Sequence, residues 1–208
     1  MCWLPHPEGV LAHRLINLYV GLALFGASLA LMVESHLGLG PWDVLHQGLA
    51  LRLGLSLGSV VIGVSVLVLL AWIPLRQRPG VGTVSNVIVV GLAVDVVLVL
   101  LPSPVSIPVR TAYLLAGILL NAVATGLYIG ARLGPGPRDG LMTGLAARGL
   151  SIRLARTTIE LSVLAVGWLL GGEVGVGTVL YALTIGPLVQ VFLSRLTIPI
   201  ASPIKKVS

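Results

Sequence analysis

The stretch Gly38-Leu-Gly-Pro-Trp-Asp-Val-Leu45 occurs a second time in this chain in closely related form. Its second copy, Gly134-Pro-Gly-Pro-Arg-Asp-Gly-Leu141, begins 96 positions later and keeps the pattern Gly-x-Gly-Pro-x-Asp-x-Leu. In each copy the proline fits the first position of a helix, where its missing N–H removes no hydrogen bond. The aspartate then falls in the first turn, where a negative charge stabilises the exposed amides. The pattern therefore predicts two short helices, 41–52 and 137–148.

Two further elements recur in the same order at a spacing of 95. They are Gly54-Leu-Ser-Leu57, repeated as Gly149-Leu-Ser-Ile152, and Gly80-Val-Gly-Thr-Val84, repeated as Gly175-Val-Gly-Thr-Val179. A period this long that occurs only twice is typical of a duplicated domain rather than a solenoid. We therefore expect homologous halves over 12–101 and 108–197, within one domain that covers residues 1–208.

The composition indicates an integral membrane protein. The 208 residues are 56% hydrophobic and only 10% charged, against about 25% charged in soluble domains. Stretches long enough to cross a bilayer as helices occur six times. They are 15–33, 57–73, 82–101, 111–130, 155–171 and 177–196. A proline-rich stretch, 102–108, links the halves, and the short helices of some 12 residues, about 18 Å, cannot cross a core of about 30 Å.

The basic residues predict the topology. If the N-terminus is cytoplasmic and the short helices do not cross, eleven of the thirteen basic residues lie on or near the cytoplasmic side. These are Arg14, Arg76, Arg78, Arg132, Arg138, Arg148, Arg153, Arg156, Arg195, Lys205 and Lys206, whereas Arg52 and Arg110 fall outside. This asymmetry satisfies the positive-inside rule. Three spans per half then invert the second half, so we expect an all-α polytopic protein with six spans, two inverted repeats and cytoplasmic termini.

Acidic residues at membrane depth are the first candidates for a substrate or ion pathway, because an unpaired charge there is costly. Asp95 lies within the third span, with Gln190 at the equivalent position of the second half. It has no basic residue within a helical turn, so it must be protonated, face water or meet a distant partner. Glu160 lies one turn from Arg156, a spacing that favours an ion pair along one helix face.

Asp43 and Asp139 have two interpretations. Either they only stabilise the starts of the short helices, or these helices are re-entrant and direct their N-termini at a central site, as in inverted-repeat carriers. The second interpretation predicts a polar cavity between the halves, lined near Asp43 and Asp139 and reached by Asp95. Arg138 replaces Trp42 in the second copy and is the largest chemical difference between the copies. Whether the short helices are re-entrant or interfacial stays open at this point.

Other polar residues favour structural roles. His36 and His46 near Glu34 have no metal-ligand spacing and are interpreted as exposed loop residues, and Cys2 cannot form an internal disulfide. Asn86, Asn121, Thr83 and Thr178 are interpreted as helix-packing groups, and the glycine-rich helix faces allow close packing or a homo-oligomer. No nucleophile–base pair, metal cluster or phosphate-binding loop is recognisable, so we expect no enzyme, cofactor, metal or nucleic-acid partner.

The chain resembles the YitT/YczE type of bacterial membrane protein. The resemblance rests on Gly38-Leu-Gly-Pro-Trp-Asp-Val-Leu45, on Gly80-Val-Gly-Thr-Val84 leading to Gly91 and Asp95, and on Arg138-Asp-Gly-Leu-Met142. It implies a protein of five or six helices in the bacterial inner membrane, and it implies no substrate and no catalytic residues.

Three functions are compatible with these observations. The first is a small secondary transporter or exporter of a small molecule, favoured by the inverted repeat and Asp95. The second is a membrane-embedded substrate-binding subunit of a larger importer, which needs an energising partner. The third is a non-transporting assembly or regulatory protein, which needs only the packing surfaces. All three have the lipid bilayer as their surroundings.

Overall fold

The computed structural model describes residues 7–149 and 151–198, and every regular element in that part of the chain is an α-helix. The helices are α1 (Pro7–Ser35), α2 (Pro41–Leu53), α3 (Leu57–Leu75), α4 (Val81–Leu100), α5 (Ile107–Gly130), α6 (Pro137–Ala146), α7 (Ile152–Leu169) and α8 (Val176–Leu196). The all-α expectation is therefore confirmed for the described residues. Cys2, Lys205 and Lys206 lie outside them.

Five of these helices are long and apolar enough to cross a membrane: α1, α3, α4, α5 and α8. The chain is thus a multi-pass membrane protein. The expected fifth span corresponds to α7, which has 18 residues but carries Arg153, Arg156 and Glu160. Because its composition falls short of the other five, a sixth span stays a prediction.

The two short helices form where the repeated stretch predicts them. α2 has 13 residues and α6 has 10, and each begins at a proline after a glycine with extended backbone. At 1.5 Å per residue they measure about 20 and 15 Å, too short to span. α6 ends at Ala146, two residues before its predicted end.

Most helix contacts have a counterpart in the other half, but within the described residues α3 packs on α4 whereas α7 does not pack closely on α8. α1 and α5 pack on each other at the centre, α4 packs on α1, and α8 packs on α5. Each short helix crosses to the other half, since α2 packs on α7 and α6 packs on α3. The larger core cluster includes Leu18 and Leu22 of α1 with Val90 and Val94 of α4. The short helices are thus held in place by the opposite half of the molecule.

Backbone conformations also repeat between the halves. Positive φ angles within the described residues occur at four pairs of positions spaced by 95 or 96: His36 and Arg132, Gly38 and Gly134, Gly54 and Gly149, and Arg76 and Gly171. Such angles are uncommon outside glycine, so their recurrence at one spacing is informative. The loops and helix ends of the two halves therefore share one local geometry.

The two repeated glycine motifs bind each other across the halves. The Gly82 N–H donates to the Leu133 carbonyl at 2.8 Å, and the Gly177 N–H donates to the Leu37 carbonyl at 2.7 Å. A side chain at Gly38 would place its Cβ 2.6 Å from the nitrogen of Gly175, so only glycine allows this approach. These bonds satisfy the non-helical backbone just before α2 and α6, which could not face lipid unpaired.

Candidate functional site

A cavity of about 270 Å³ lies between the starts of α2 and α6. Five of the six side chains proposed from the sequence for a pathway line it: Asp43, Arg138, Asp139, Glu160 and Gln190. The aromatic side chains on its wall are Phe25, Trp42, Tyr128 and Tyr181. The short helices thus meet at one polar space, as the re-entrant interpretation requires.

On the α2 side of the cavity, Arg138 of the second half binds the first half. Its Nη2 donates to Asp43 Oδ1 at 3.2 Å and lies 3.3 Å from His46 Nδ1. Its guanidinium carbon also lies 5.1 Å from the centre of the Trp42 ring, a cation–π contact. Asp43 and His46 are buried, while the Arg138 side chain remains 23% exposed. The one cation gained in the second copy therefore neutralises the buried acid of the first.

On the α6 side, Asp139 has a different partner. Its Oδ2 accepts a hydrogen bond from the Tyr128 hydroxyl at 2.9 Å. No ion pair of Asp139 occurs among the described residues. Asp43 and Asp139 thus occupy equivalent positions, but only Asp43 is paired with a cation.

Because of this difference, the pKa values of the two carboxyls shift in opposite directions. Both carboxyls belong to short helices that do not span the membrane. Burial acts to raise the pKa of Asp43, but Arg138 and His46 outweigh it, so this pKa lies below its usual value. Burial raises the pKa of Asp139 above its usual value, and the Tyr128 hydrogen bond only partly opposes this. Burial also lowers the pKa of His46, which keeps the ring neutral. Asp43 is consequently the more firmly ionised of the two acids.

α7 contributes a second ion pair to the cavity wall. Arg156 Nε donates to Glu160 Oε1 at 2.9 Å, which confirms the pair expected from their spacing. Gln190 of α8 lines the same space. Two charged residues of α7, Arg156 and Glu160, therefore face this cavity.

The expectation that Asp95 reaches the cavity has to be corrected. Asp95 is absent from the cavity wall, and its carboxylate accepts hydrogen bonds from Ser56 Oγ at 2.6 Å and from the Gly58 N–H at 2.7 Å. These donors belong to the start of α3, where a carboxylate compensates the unpaired amides. The distant partner that the sequence required is thus a helix N-terminus rather than a ligand.

His36 and His46 lie in different environments. His36 is exposed, as expected, and its Nδ1 lies 3.0 Å from Glu173 Oε1. The interpretation of His46 as an exposed loop residue is wrong, because its side chain is fully buried in α2. Among the described residues no group of three potential ligands could hold a metal ion.

Several contributors to the site carried no signal in the sequence. Tyr128 and Tyr181 lie within apolar spans, and the equivalent positions, Met32 and Asn86, are not tyrosines. Asn121, expected to pack helices, bridges Ser28 Oγ at 3.0 Å and the Tyr181 hydroxyl at 3.3 Å. Thr83 likewise joins two elements, since its hydroxyl donates to the Pro135 carbonyl at 2.7 Å, just before α6.

The apolar helices and the buried polar cavity define a multi-pass membrane protein, and comparison with known proteins gives its family. Residues 12–194 match a family of unknown function, DUF6198, and the chain belongs to that family. It is 43% identical to an uncharacterized protein of Haemophilus influenzae over 178 residues, which is 85% of this chain and 82% of that protein.

Two relatives in Bacillus subtilis are more distant. The chain is 31% identical over 172 residues to the uncharacterized membrane protein YczE, covering 81% of this chain and 80% of that protein. It is 26% identical over 181 residues to the uncharacterized protein YyaS, covering 84% and 89%. The resemblance to the YczE type is therefore confirmed. No solved structure matches the chain.

Proposed function

We propose that this protein is a small secondary carrier or exporter in the bacterial inner membrane, with cytoplasmic termini and its substrate site in the cavity between the halves. The observation that carries the proposal is that both short helices begin at one polar cavity. Carriers built from inverted repeats place broken helices around a central site in this way. A protein with a purely structural role has no need for charged side chains at such a cavity.

The inverted arrangement is supported by where the short helices end. Arg52, at the end of α2, donates from Nε to the Leu170 carbonyl after α7 at 3.1 Å. Arg148, just past α6, donates from Nη2 to the Pro74 carbonyl near the end of α3. If α3, α4, α5 and α7 each cross once, Pro74 and Leu170 lie on opposite faces. Both short helices then start at the cavity and emerge on opposite sides, which makes them re-entrant.

The proposal treats α7 as the sixth span. Its low apolarity comes from Arg153, Arg156 and Glu160, of which the last two form an ion pair and line the cavity. Paired charges that face a water-filled space are tolerated within a membrane protein, whereas charges that face lipid are not. α7 also shares one partner relation with α3, since each packs against the short helix of the opposite half.

The carrier proposal can be tested without knowing the substrate. Ser65 of α3 and Thr125 of α5 line the cavity. In a Cys2→Ser background, each of them is replaced in turn by cysteine. A carrier with alternating access must expose them to both faces in turn. We therefore expect a membrane-impermeant methanethiosulfonate to modify them in right-side-out and in inside-out vesicles. A cysteine at Leu67, an exposed position on the outer surface of α3, is the control and should react in neither.

Two other outcomes would contradict the proposal. Modification from one face only would indicate a static cavity, as in a substrate-binding importer subunit, and stable co-purification with an ATPase would support that function. If the cysteines at positions 65 and 125 do not react with the methanethiosulfonate from either face, the cavity is a closed structural core, which favours an assembly or regulatory role.

A further inference from the structure

The charges around the cavity are balanced. Two arginines, Arg138 and Arg156, face three carboxylates, those of Asp43, Asp139 and Glu160. The starts of α2 and α6 add about half a positive charge each, so the surroundings are close to neutral. A ligand with net charge would leave that charge uncompensated at low dielectric constant, which is unfavourable. The cavity therefore suits a ligand with no net charge.

On the α2 side of the cavity, hydrogen-bond donors of Arg138 and Trp42 have no acceptor among the described residues. Arg138 uses Nη2 for Asp43 and His46, and its Nε and Nη1 have no hydrogen-bond partner among the described residues. Trp42 lines the cavity and is only 7% exposed, and its indole Nε1 is buried without a partner within the same part of the chain. Because a buried N–H is normally satisfied, this group indicates a missing acceptor. A carboxylate supplies such an acceptor and also matches the guanidinium.

The α6 side offers the opposite chemistry. Asp139 lines the cavity, accepts from the Tyr128 hydroxyl and has no ion pair among the described residues. The other two cavity carboxylates, Asp43 and Glu160, each have an arginine. Tyr128 and Phe25, packed edge to face at 6.1 Å, add aromatic surface that also attracts cations. This side is therefore complementary to an ammonium group.

We propose that the substrate is a small zwitterion whose carboxylate binds at Trp42 and Arg138 and whose ammonium group binds at Asp139. The proposal rests on the proposed function, because it assigns a substrate class to the same cavity. A zwitterion satisfies both unpaired ends without adding net charge, whereas an anion or a cation alone satisfies one end. The cavity of about 270 Å³ is large enough to hold a zwitterion of amino-acid size.

Matched probes separate these ligand classes. Binding to the purified protein is measured from ligand-dependent shifts in the thermal unfolding midpoint. The first set is glycine, acetate and methylammonium, and the second is 4-aminobutyrate, butyrate and butylammonium. Within at least one set we expect the zwitterion to bind about tenfold or more tightly than its two single-charge analogues, since each end adds charge-assisted hydrogen bonds.

Three variants test the assigned ends. Asp139→Asn should abolish the preference for the zwitterion over the matched carboxylate. Trp42→Phe, which removes Nε1–H but keeps an aromatic ring, should weaken zwitterion and carboxylate binding about threefold to tenfold and leave the amine unaffected. Trp168→Phe makes a similar change at an exposed position and should alter nothing.

Each alternative result overturns the assignment. An amine or a carboxylate that binds as tightly as the zwitterion shows that one end alone determines recognition. Binding of none of the six probes also refutes the zwitterion class at this cavity. The carrier proposal is tested separately, because the reaction of the Ser65→Cys and Thr125→Cys variants from both faces of the membrane needs no ligand.

Discussion

α2 and α6 begin with the same backbone conformation and differ in the side chains that contact the opposite half. Both begin with Gly-Pro and carry an aspartate three residues after the glycine. Their equivalent side chains nevertheless differ, with Trp42 replaced by Arg138 and His46 by Met142. The backbone must be retained because it is fixed by cross-half hydrogen bonds, whereas the side chains could diverge and produce one asymmetric site.

The glycines where the short helices contact α7 and α3 also differ between the halves. On one side Gly167 of α7 lies directly against the backbone of α2 at Val44 and Leu45. At the equivalent contact Gly140 of α6 lies beneath the ring of Trp72, whose Nε1 donates to the Pro137 carbonyl at 3.0 Å. A glycine therefore allows a close approach in both places, but it meets backbone in one and an aromatic ring in the other, and it has changed helix.

The largest expected effect on stability comes from exchanging the large and the small residue at the contact between Trp72 and Gly140. Trp72→Gly should destabilise the protein by about 3–5 kcal/mol because it leaves a cavity. Gly140→Val should cost about 1–3 kcal/mol because the new side chain meets the Trp72 ring. The double variant moves the glycine from α6 to α3 and should cost at least about 1 kcal/mol less than the sum, as measured by denaturant unfolding in detergent. Strict additivity would show that the two residues are not coupled.

A second comparison sets Asp43 against Asp139. Arg138→Leu leaves the buried Asp43 carboxylate without its cation and should cost about 3–5 kcal/mol. Asp139→Asn removes no ion pair, and Tyr128 can still donate to the amide oxygen, so its cost should stay below about 1 kcal/mol. Asp43→Asn added to Arg138→Leu should recover part of the loss. Equal destabilisation by Arg138→Leu and Asp139→Asn in the same unfolding measurement would contradict the assigned pairing.

The smallest expected difference concerns the repeated threonines. Thr83 and Thr178 both accept a hydrogen bond from the glycine three residues earlier, at 3.2 and 3.3 Å. Only Thr83 also donates to a loop carbonyl, that of Pro135, within the described residues. Thr83→Val should therefore cost about 1 kcal/mol more than Thr178→Val. Matching unfolding midpoints for the two variants would remove this distinction between the halves.

The sequence predicts the repeated parts of this fold well, because they follow from local rules. Gly-Pro followed by aspartate locates the start of both short helices, and the spacing of Arg156 and Glu160 predicts their ion pair. Asp95 and His46 were misassigned because their surroundings depend on which helices pack together. No pattern in one chain indicates that α2 lies on α7, or that Ser56 approaches Asp95 from another helix.

The most direct test of the account is the sidedness of the residues that follow the two short helices. Leu55 and Ser151 lie just before α3 and α7, and both are exposed. In a Cys2→Ser background, single cysteines at these positions are labelled in intact cells with a membrane-impermeant maleimide. Inverted halves around a central cavity predict labelling of Leu55→Cys from outside and of Ser151→Cys only after the membrane is permeabilised. Labelling of both from the same side would contradict the inverted repeat and the carrier built on it.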